Sequence, residues 1–185
     1  QLLTLDGTVD KSHLGANAIL GVSMAVTKAL AAAAKVPLYR FIAHISGNDQ
    51  TLFIPTSLFN MINGGKHGAG NLDFQEFHII PNPHQPFSSC LETAAVIYQH
   101  IKRILARRGA IHSVGDEGGF APNLFTNLDA LEVLQEAITE SNRKPGVDVE
   151  LGLDIAANTF IKDGRYAIKD RSSPMDSSEF IDYLR

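Results

Sequence analysis

The sequence predicts an α/β protein, with helices first and a mixed region of strands and helices after them. Apolar residues recur at helical spacing between residues 14 and 44, whereas short apolar runs alternate with longer helical patterns from residue 54 onward. Glycine-rich segments with acidic residues follow the predicted strands. Chemistry on loops that follow strands is typical of barrels and open α/β enzymes.

The first helix is predicted over residues 14–34, with Ser12 as its N-terminal cap. This segment is long enough to be compared with a membrane span, but polar residues such as Asn17 and Lys28 interrupt it, and Ala and Gly dominate it. We therefore expect a buried helix of a soluble domain. Pro37 suits the first turn of a second helix that ends near residue 44.

A polar segment over residues 46–50 marks a domain boundary, so the predicted domains cover residues 1–50 and 51–185. The second domain begins in the order strand, strand, helix, helix, strand. Its predicted elements are strands over 54–62, 74–80 and 147–154, helices over 89–108, 127–141 and 177–185, and a hairpin over 160–168 that turns at Asp163-Gly164.

Three end signals support the two middle helices. Ser88 or Ser89 can cap the start of helix 89–108, and Gly109 can take the left-handed conformation after its end. Thr126 and Asp129 have the spacing of a capping box at the start of helix 127–141.

Composition narrows the possible functions. Of 185 residues, 44% are hydrophobic and 19% are charged, which is ordinary for a globular protein. The net charge of −4 gives no electrostatic reason to bind nucleic acid or an anionic membrane. Cys90 is the single cysteine, so an intramolecular disulfide is impossible and a cytoplasmic location fits. The chain starts with Gln1 and shows no signal peptide, and we expect an internal section of a longer protein.

Three segments carry the candidate functional residues. His67 lies in a glycine-rich loop that can approach a ligand closely, although an exposed loop histidine fits the pattern as well. Glu76, at the head of an apolar run, suits acid–base chemistry or a structural role. Asp116 and Glu117 lie between glycines, which fits metal binding, proton transfer or a solvated turn. Asp154 ends a strand, where it can bind Mg²⁺ or cap a turn.

The remaining histidines and the cysteine fit structural roles. Cys90 has no clear base beside it, and we expect it to pack in the core. The histidines that we interpret as structural are His13, His44, His78, His84, His100 and His112.

Taken together, these segments resemble the enolase family in the correct order along the whole chain. Residues 11–23 (KSHLGANAILGVS) are similar to the last long helix of the enolase N-terminal domain. Residues 63–77 (NGGKHGAGNLDFQEF) are similar to the first catalytic loop, and residues 152–157 (GLDIAA) to the strand with the first metal ligand. Residues 115–123 (GDEGGFAPN) are the most specific match.

The resemblance implies a fold and an activity. The fold is the end of an α+β N-terminal domain followed by the first part of an enolase-type β/α barrel. The activity is the Mg²⁺-dependent, reversible dehydration of 2-phosphoglycerate to phosphoenolpyruvate in glycolysis, by a hydro-lyase that is commonly a cytoplasmic homodimer. In this family, Mg²⁺ ions stabilise the enolate-like intermediate.

The resemblance also implies residue roles. Glu117 is the general acid that helps hydroxide to leave, and Glu76 assists it. His67 lies at the substrate, near its phosphate or its leaving group. Asp154 binds Mg²⁺, and Gln75 lines the substrate site together with His67 and Glu76.

Other residues that the family uses are absent from this sequence. The catalytic base is a lysine that lies downstream in enolases, as do further metal-binding acids, and a serine loop lies upstream. We therefore expect the 185-residue chain alone to be inactive. Two alternatives stay open at this point: a non-catalytic enolase-like binding or assembly protein, and another barrel of the wider superfamily with a different acid substrate.

Overall fold

The computed structural model describes residues 1–48, 52–68 and 70–185. The chain forms two compact units, Gln1–Phe53 and Ile54–Arg185. Part of the predicted boundary segment, Asp49 and Gln50, lies outside the described residues. The exact division at residue 50 therefore stays a prediction.

Over its described residues, the first unit contains three helices. They are α1 (Leu2–Asp6), which the sequence analysis did not predict, α2 (Ala16–Ala33) and α3 (Leu38–Ile45). The prediction of Ser12 as the cap of α2 is wrong, because Gly15 holds the N-cap position with a φ of 84°. Glycine tolerates that backbone conformation, which a side chain would strain. Pro37 occupies the N-cap of α3.

Helix α2 differs most from its prediction. It is long and apolar enough to cross a membrane, with a mean hydropathy of 1.4, yet 6% of it is buried within the structure. Ala31 is its buried residue, whereas Leu20, Val26 and Leu30 are all more than half exposed. The prediction of a buried helix is wrong for this structure, because α2 is apolar on several faces and the two short helices of its unit cover little of it. Its placement in a soluble domain stays a prediction.

The second unit is built on a three-stranded sheet. Its strands β1 (Phe59–Asn63), β2 (Glu76–Pro81) and β3 (Val149–Asp154) lie in the order β1-β2-β3, and both neighbouring pairs are antiparallel. The register shifts between Asn60 and Ile62. Strand β1 begins later than predicted, after Pro55, which cannot donate a hydrogen bond to a neighbouring strand.

Two helices form a core with this sheet. Helix α4 (Phe87–Arg107) packs against α5 (Asn127–Glu140), and both contact β2. Alternation along β2 buries Phe77 and Ile79 completely and leaves their neighbours half-buried. The largest fully buried side chains of α4 and α5 in this core are Ile97, Ile101, Ile104, Leu105, Val133, Leu134 and Ile138.

The helix ends test the predicted caps. The N-cap of α4 is Pro86, and no side chain caps this end of the helix. The prediction of Ser88 or Ser89 as the cap is therefore wrong, and both residues lie inside the first turn. Gly109 follows α4 with a φ of 64°, as predicted. The capping box of Thr126 and Asp129 is confirmed at the start of α5.

The last part of the chain packs through aromatic rings. The short strands β4 (Ile161–Lys162) and β5 (Arg165–Tyr166) form the predicted hairpin, with positive φ angles at Asp163 and Gly164. Helix α6 (Ser177–Tyr183) follows. Tyr166 stacks on Phe180 of α6 at 4.5 Å between ring centroids, which ties the hairpin to the helix.

Candidate active site

Two acidic residues meet across the sheet at one end of the strands. Glu76, the first residue of β2, pairs with Asn63 of β1 on one side and with Asp154 of β3 on the other. Directly paired residues point to the same face, with Cβ atoms about 5 Å apart. Like charges in such positions destabilise a sheet unless a cation or a proton compensates them. The row formed by Asn63, Glu76 and Asp154 therefore places two carboxylates where they can share a cation or a proton.

The loop after β1 carries His67. It starts with Gly64, whose N–H donates to the carbonyl of Gln75 at 2.9 Å. A Cβ on Gly64 would lie 2.2 Å from the carbonyl oxygen of Phe74, so only glycine fits there. The chain then makes a 3₁₀ turn, Gly65–His67, which leaves the His67 side chain 39% exposed.

The far end of this loop is fixed by the rest of the unit. The backbone N–H of Lys169 donates to the Asp73 carboxylate at 2.7 Å. The side-chain oxygen of Asn127, at the start of α5, accepts from the N–H groups of Asp73 and Phe74 at 3.1 Å each. The His67 loop is thus held at both ends by backbone and side-chain hydrogen bonds.

The loop that carries Glu117 lies beside β1. The N–H of Asn63 donates to the carbonyl of Phe120 at 2.7 Å, and the N–H of Phe120 donates to the carbonyl of Met61 at 2.8 Å. The N–H of Gly115 donates to the carbonyl of Gly119 at 2.8 Å, which closes a tight turn around Glu117. Both acids of this turn, Asp116 and Glu117, are exposed.

The two loops bring their candidate residues, His67 and Glu117, close together. Nε2 of His67 lies 3.6 Å from Oε1 of Glu117. The sequence places these residues 50 positions apart, and the hydrogen bonds between β1 and residues 119–120 bring them together. A histidine and a carboxylate at this distance can share a proton through a small movement or a bridging water.

Asn63 connects the His67 and Glu117 loops with the paired acids Glu76 and Asp154. This role of Asn63 was not predicted from the sequence. Its side chain is completely buried, and its amide accepts from Nδ2 of Asn60 at 2.6 Å. A Cβ on Gly115 would lie 2.7 Å from Nδ2 of Asn63, and a Cβ on Gly119 would lie 2.3 Å from its Oδ1. Both glycines are therefore required for the Glu117 loop to pack on Asn63.

Tyr98 of α4 supports the same loop from the helix side. Its hydroxyl donates to the carbonyl of Gly118 at 2.9 Å, and its ring stacks on Phe120 at 4.3 Å between centroids. Burial raises the pKa of Tyr98 above its usual value, so the hydroxyl keeps its proton and remains a donor. Only the packing shows this contact of Tyr98 with the loop.

Gln75 and Asp154 are joined through their backbones. The N–H of Gln75 donates to the carbonyl of Asp154 at 3.1 Å. The Asp154 side chain is exposed, and its Oδ1 accepts from the N–H of Ala156 at 3.1 Å. The other carboxylate oxygen of Asp154, Oδ2, thus accepts no backbone hydrogen bond within this turn.

The carboxylates of Asp154 and Glu76 can contribute to a magnesium site, but they do not form a complete one. Within residues 1–48, 52–68 and 70–185, no three His, Cys, Asp or Glu side chains are grouped so as to enclose a metal ion. Mg²⁺ commonly binds to one or two carboxylates and keeps waters or substrate oxygens as its other ligands. Asp154, opposite Glu76 at the open end of the sheet, fits that type of partial site.

Two models of known protein families match this chain. Residues 51–184 match the family model of the enolase C-terminal TIM barrel domain, and residues 1–42 match that of the enolase N-terminal domain. The chain belongs to the enolase family. Its mixed helices and strands agree with the α/β fold of these domains. Membership indicates a lyase of the enolase superfamily that acts on a small molecule, and domains of this family generally bind Mg²⁺.

Proposed function

We propose that the protein is an enolase that interconverts 2-phosphoglycerate and phosphoenolpyruvate, and that these 185 residues carry the acid side of its active site. The observation that carries the proposal is the approach of His67 to Glu117, 3.6 Å between Nε2 and Oε1, beside the row that contains Glu76. A dehydration needs a group that protonates the leaving hydroxyl, and this cluster offers acids for that step.

In the proposed mechanism, Glu117 acts as the general acid. A base removes the proton at C2, the electron pair forms the C2–C3 double bond, and the C3–O bond breaks with its pair on oxygen. Glu117 gives its proton to that oxygen, which leaves as water. Glu76 assists at the leaving group, while His67 donates to substrate oxygens and Gln75 lines the pocket.

Asp154 is the proposed magnesium ligand from this chain. Bound Mg²⁺ would supply positive charge that stabilises the negative charge developing on the substrate. Asp154 itself contributes a carboxylate oxygen at the end of β3, on the same sheet face as Glu76. Its Oδ1 is oriented by the Ala156 N–H, which is the type of outer hydrogen bond that fixes a ligand.

We further propose that the 185-residue chain alone does not turn over 2-phosphoglycerate. The resemblance assigns the base and further metal ligands to residues that this sequence lacks. The three-stranded sheet also has two edge strands, β1 and β3, whereas a closed barrel has none. Formation of phosphoenolpyruvate by the purified chain, followed by ultraviolet absorbance, would contradict this proposal.

The complete protein is proposed to be a cytoplasmic homodimer in glycolysis, without nucleic-acid or membrane partners. The low net charge of −4 and the single cysteine are compatible with this. The combination of His67, Glu76, Glu117 and Asp154 favours a catalyst over a non-catalytic binding protein.

Glu117→Gln in the complete protein tests the assignment of the acid. Gln has nearly the same shape but cannot donate a proton as a carboxylic acid does, so kcat should fall about 100- to 10,000-fold with an intact fold. Asp116→Asn is the matched control, because Asp116 is the exposed neighbour in the same turn and has no proposed proton-transfer role. Equal kcat values for Glu117→Gln and the wild type would refute the assignment.

A further inference from the structure

His78 is a half-buried titratable residue that contacts a proposed catalytic acid. It lies in β2, two residues after Glu76, and residues two apart in a strand share a face. Nε2 of His78 is 2.5 Å from Oε2 of Glu76. The two side chains are only 12% and 20% exposed, so water competes little for this contact.

The contact and its surroundings favour one tautomer of the imidazole. When Glu76 is ionised its carboxylate only accepts hydrogen bonds, so in that state the ring nitrogen that faces Oε2 carries a hydrogen. The other ring nitrogen, Nδ1 of His78, is buried and has no hydrogen-bond partner among the described residues. A neutral ring with its hydrogen on Nε2 avoids burying an unpaired N–H donor.

The neighbouring strands leave room for the ring and limit its movement. His78 pairs with Gly152 of β3 on one side and with Asn60 of β1 on the other. A Cβ on Gly152 would lie 3.5 Å from Cβ of His78 and 3.0 Å from Cδ1 of Ile80. The absent side chain at Gly152 therefore makes space on the sheet face that His78 and Glu76 share.

We propose that His78 is a positioning residue for Glu76. Its Nε2–H occupies Oε2 of Glu76 and holds the carboxylate in one orientation beside Asp154. Oε1 of Glu76 is then the oxygen left to act at the substrate. This inference rests on the proposed function, because it assigns Glu76 a task in that reaction, but the hydrogen bond itself can be tested without turnover.

The first experiment measures the ring directly in the 185-residue chain. Histidine labelled with ¹⁵N in both ring nitrogens reports by NMR which nitrogen of His78 carries hydrogen, and His78→Gln assigns the signal. We expect hydrogen on Nε2 in the wild type, and a shift toward the mixture of forms found in free histidine when Glu76→Leu removes the acceptor. A ring with its hydrogen on Nδ1 alone, or a ring that Glu76→Leu leaves unchanged, overturns the proposal.

The second experiment measures kinetics in the complete protein. His78→Leu should lower kcat about 10- to 100-fold, the usual range for a lost supporting hydrogen bond at a site, with KM within about twofold. His78→Gln keeps an N–H donor at nearly the same reach and should restore most of kcat. If both variants lose kcat equally, or neither loses it, then the positioning role is wrong.

These two experiments separate this inference from the proposed function. A wild-type complete protein without turnover overturns the proposed function and the role of His78 in that reaction. The NMR result still decides whether His78 holds Glu76. Turnover by the wild type combined with hydrogen on Nδ1 overturns the inference alone.

Discussion

Gly119→Ala should release the Glu117 loop from β1. Gly119 is buried, and the nearest atom to its added Cβ would be Oδ1 of Asn63 at 2.3 Å. Ordinary contact begins at 3.4 Å, so the loop or Asn63 must move by about 1 Å. Asn63 is itself completely buried and has little space to yield. The loop is therefore the part that moves.

The cost follows from the bonds that this movement breaks. A shift of about 1 Å would lengthen the bond from the N–H of Asn63 to the carbonyl of Phe120, now 2.7 Å, beyond hydrogen-bonding distance. The bond from the N–H of Phe120 to the carbonyl of Met61, now 2.8 Å, would weaken with it. Each buried donor left unpaired costs about 1–3 kcal/mol, so we expect the unfolding free energy to fall by about 2–4 kcal/mol.

Urea unfolding of the 185-residue chain, followed by the near-ultraviolet signal of its tyrosines, measures this change. With a slope of about 2 kcal/mol per molar urea, the midpoint should fall by about 1–2 M. Ser113→Ala, at an exposed position just before the same loop, is the control and should stay within about 0.5 kcal/mol of the wild type. A Gly119→Ala midpoint equal to that of the control would refute the argument.

Two further predictions concern helix caps and pH. Thr126→Ala removes the hydroxyl that accepts a hydrogen bond from the N–H of Asp129. The unfolding free energy, measured by urea unfolding, should fall by about 1 kcal/mol. The control Thr139→Ala, on the exposed face of α5, should have almost no effect. Hydrogen bonds from the hydroxyl of Thr8 and the N–H of Leu14 lower the pKa of Asp6 below its usual value. Asp6 therefore stabilises the first unit at pH values above its unfolded pKa of about 4. This contribution is lost as the pH falls further. Circular dichroism should show the loss of helix in acid, and Asp6→Asn should remove this pH dependence.

Local signals in the sequence predicted most elements of the second unit. The capping box at Thr126, the left-handed Gly109 and the Asp163-Gly164 hairpin each depend on residues close together in the chain, and all three are confirmed. The start of β1 and the cap of α4 were wrong because Pro55 and Pro86 shift those boundaries through backbone constraints that compete with the apolar pattern.

The exposure of α2 shows a different limit. An apolar helix is expected to be buried, but its burial depends on which surfaces are present to cover it, and these cannot be read from the helix itself. The sequence likewise predicted Glu76 as a candidate acid but interpreted His78 as structural. The period-two alternation of β2 would have placed both on one face, although their contact depends on the side-chain orientations in the folded sheet.

The sequence by itself determined the fold class, the family resemblance and the residue types that carry the proposed chemistry, because composition, periodicity and motifs are local properties. Only the tertiary structure decided which of these residues meet. His67 and Glu117 approach because residues 119–120 bond to β1, and Glu76 faces Asp154 because of the register between β2 and β3. Register and loop packing depend on contacts between residues far apart in the chain, which no local pattern specifies.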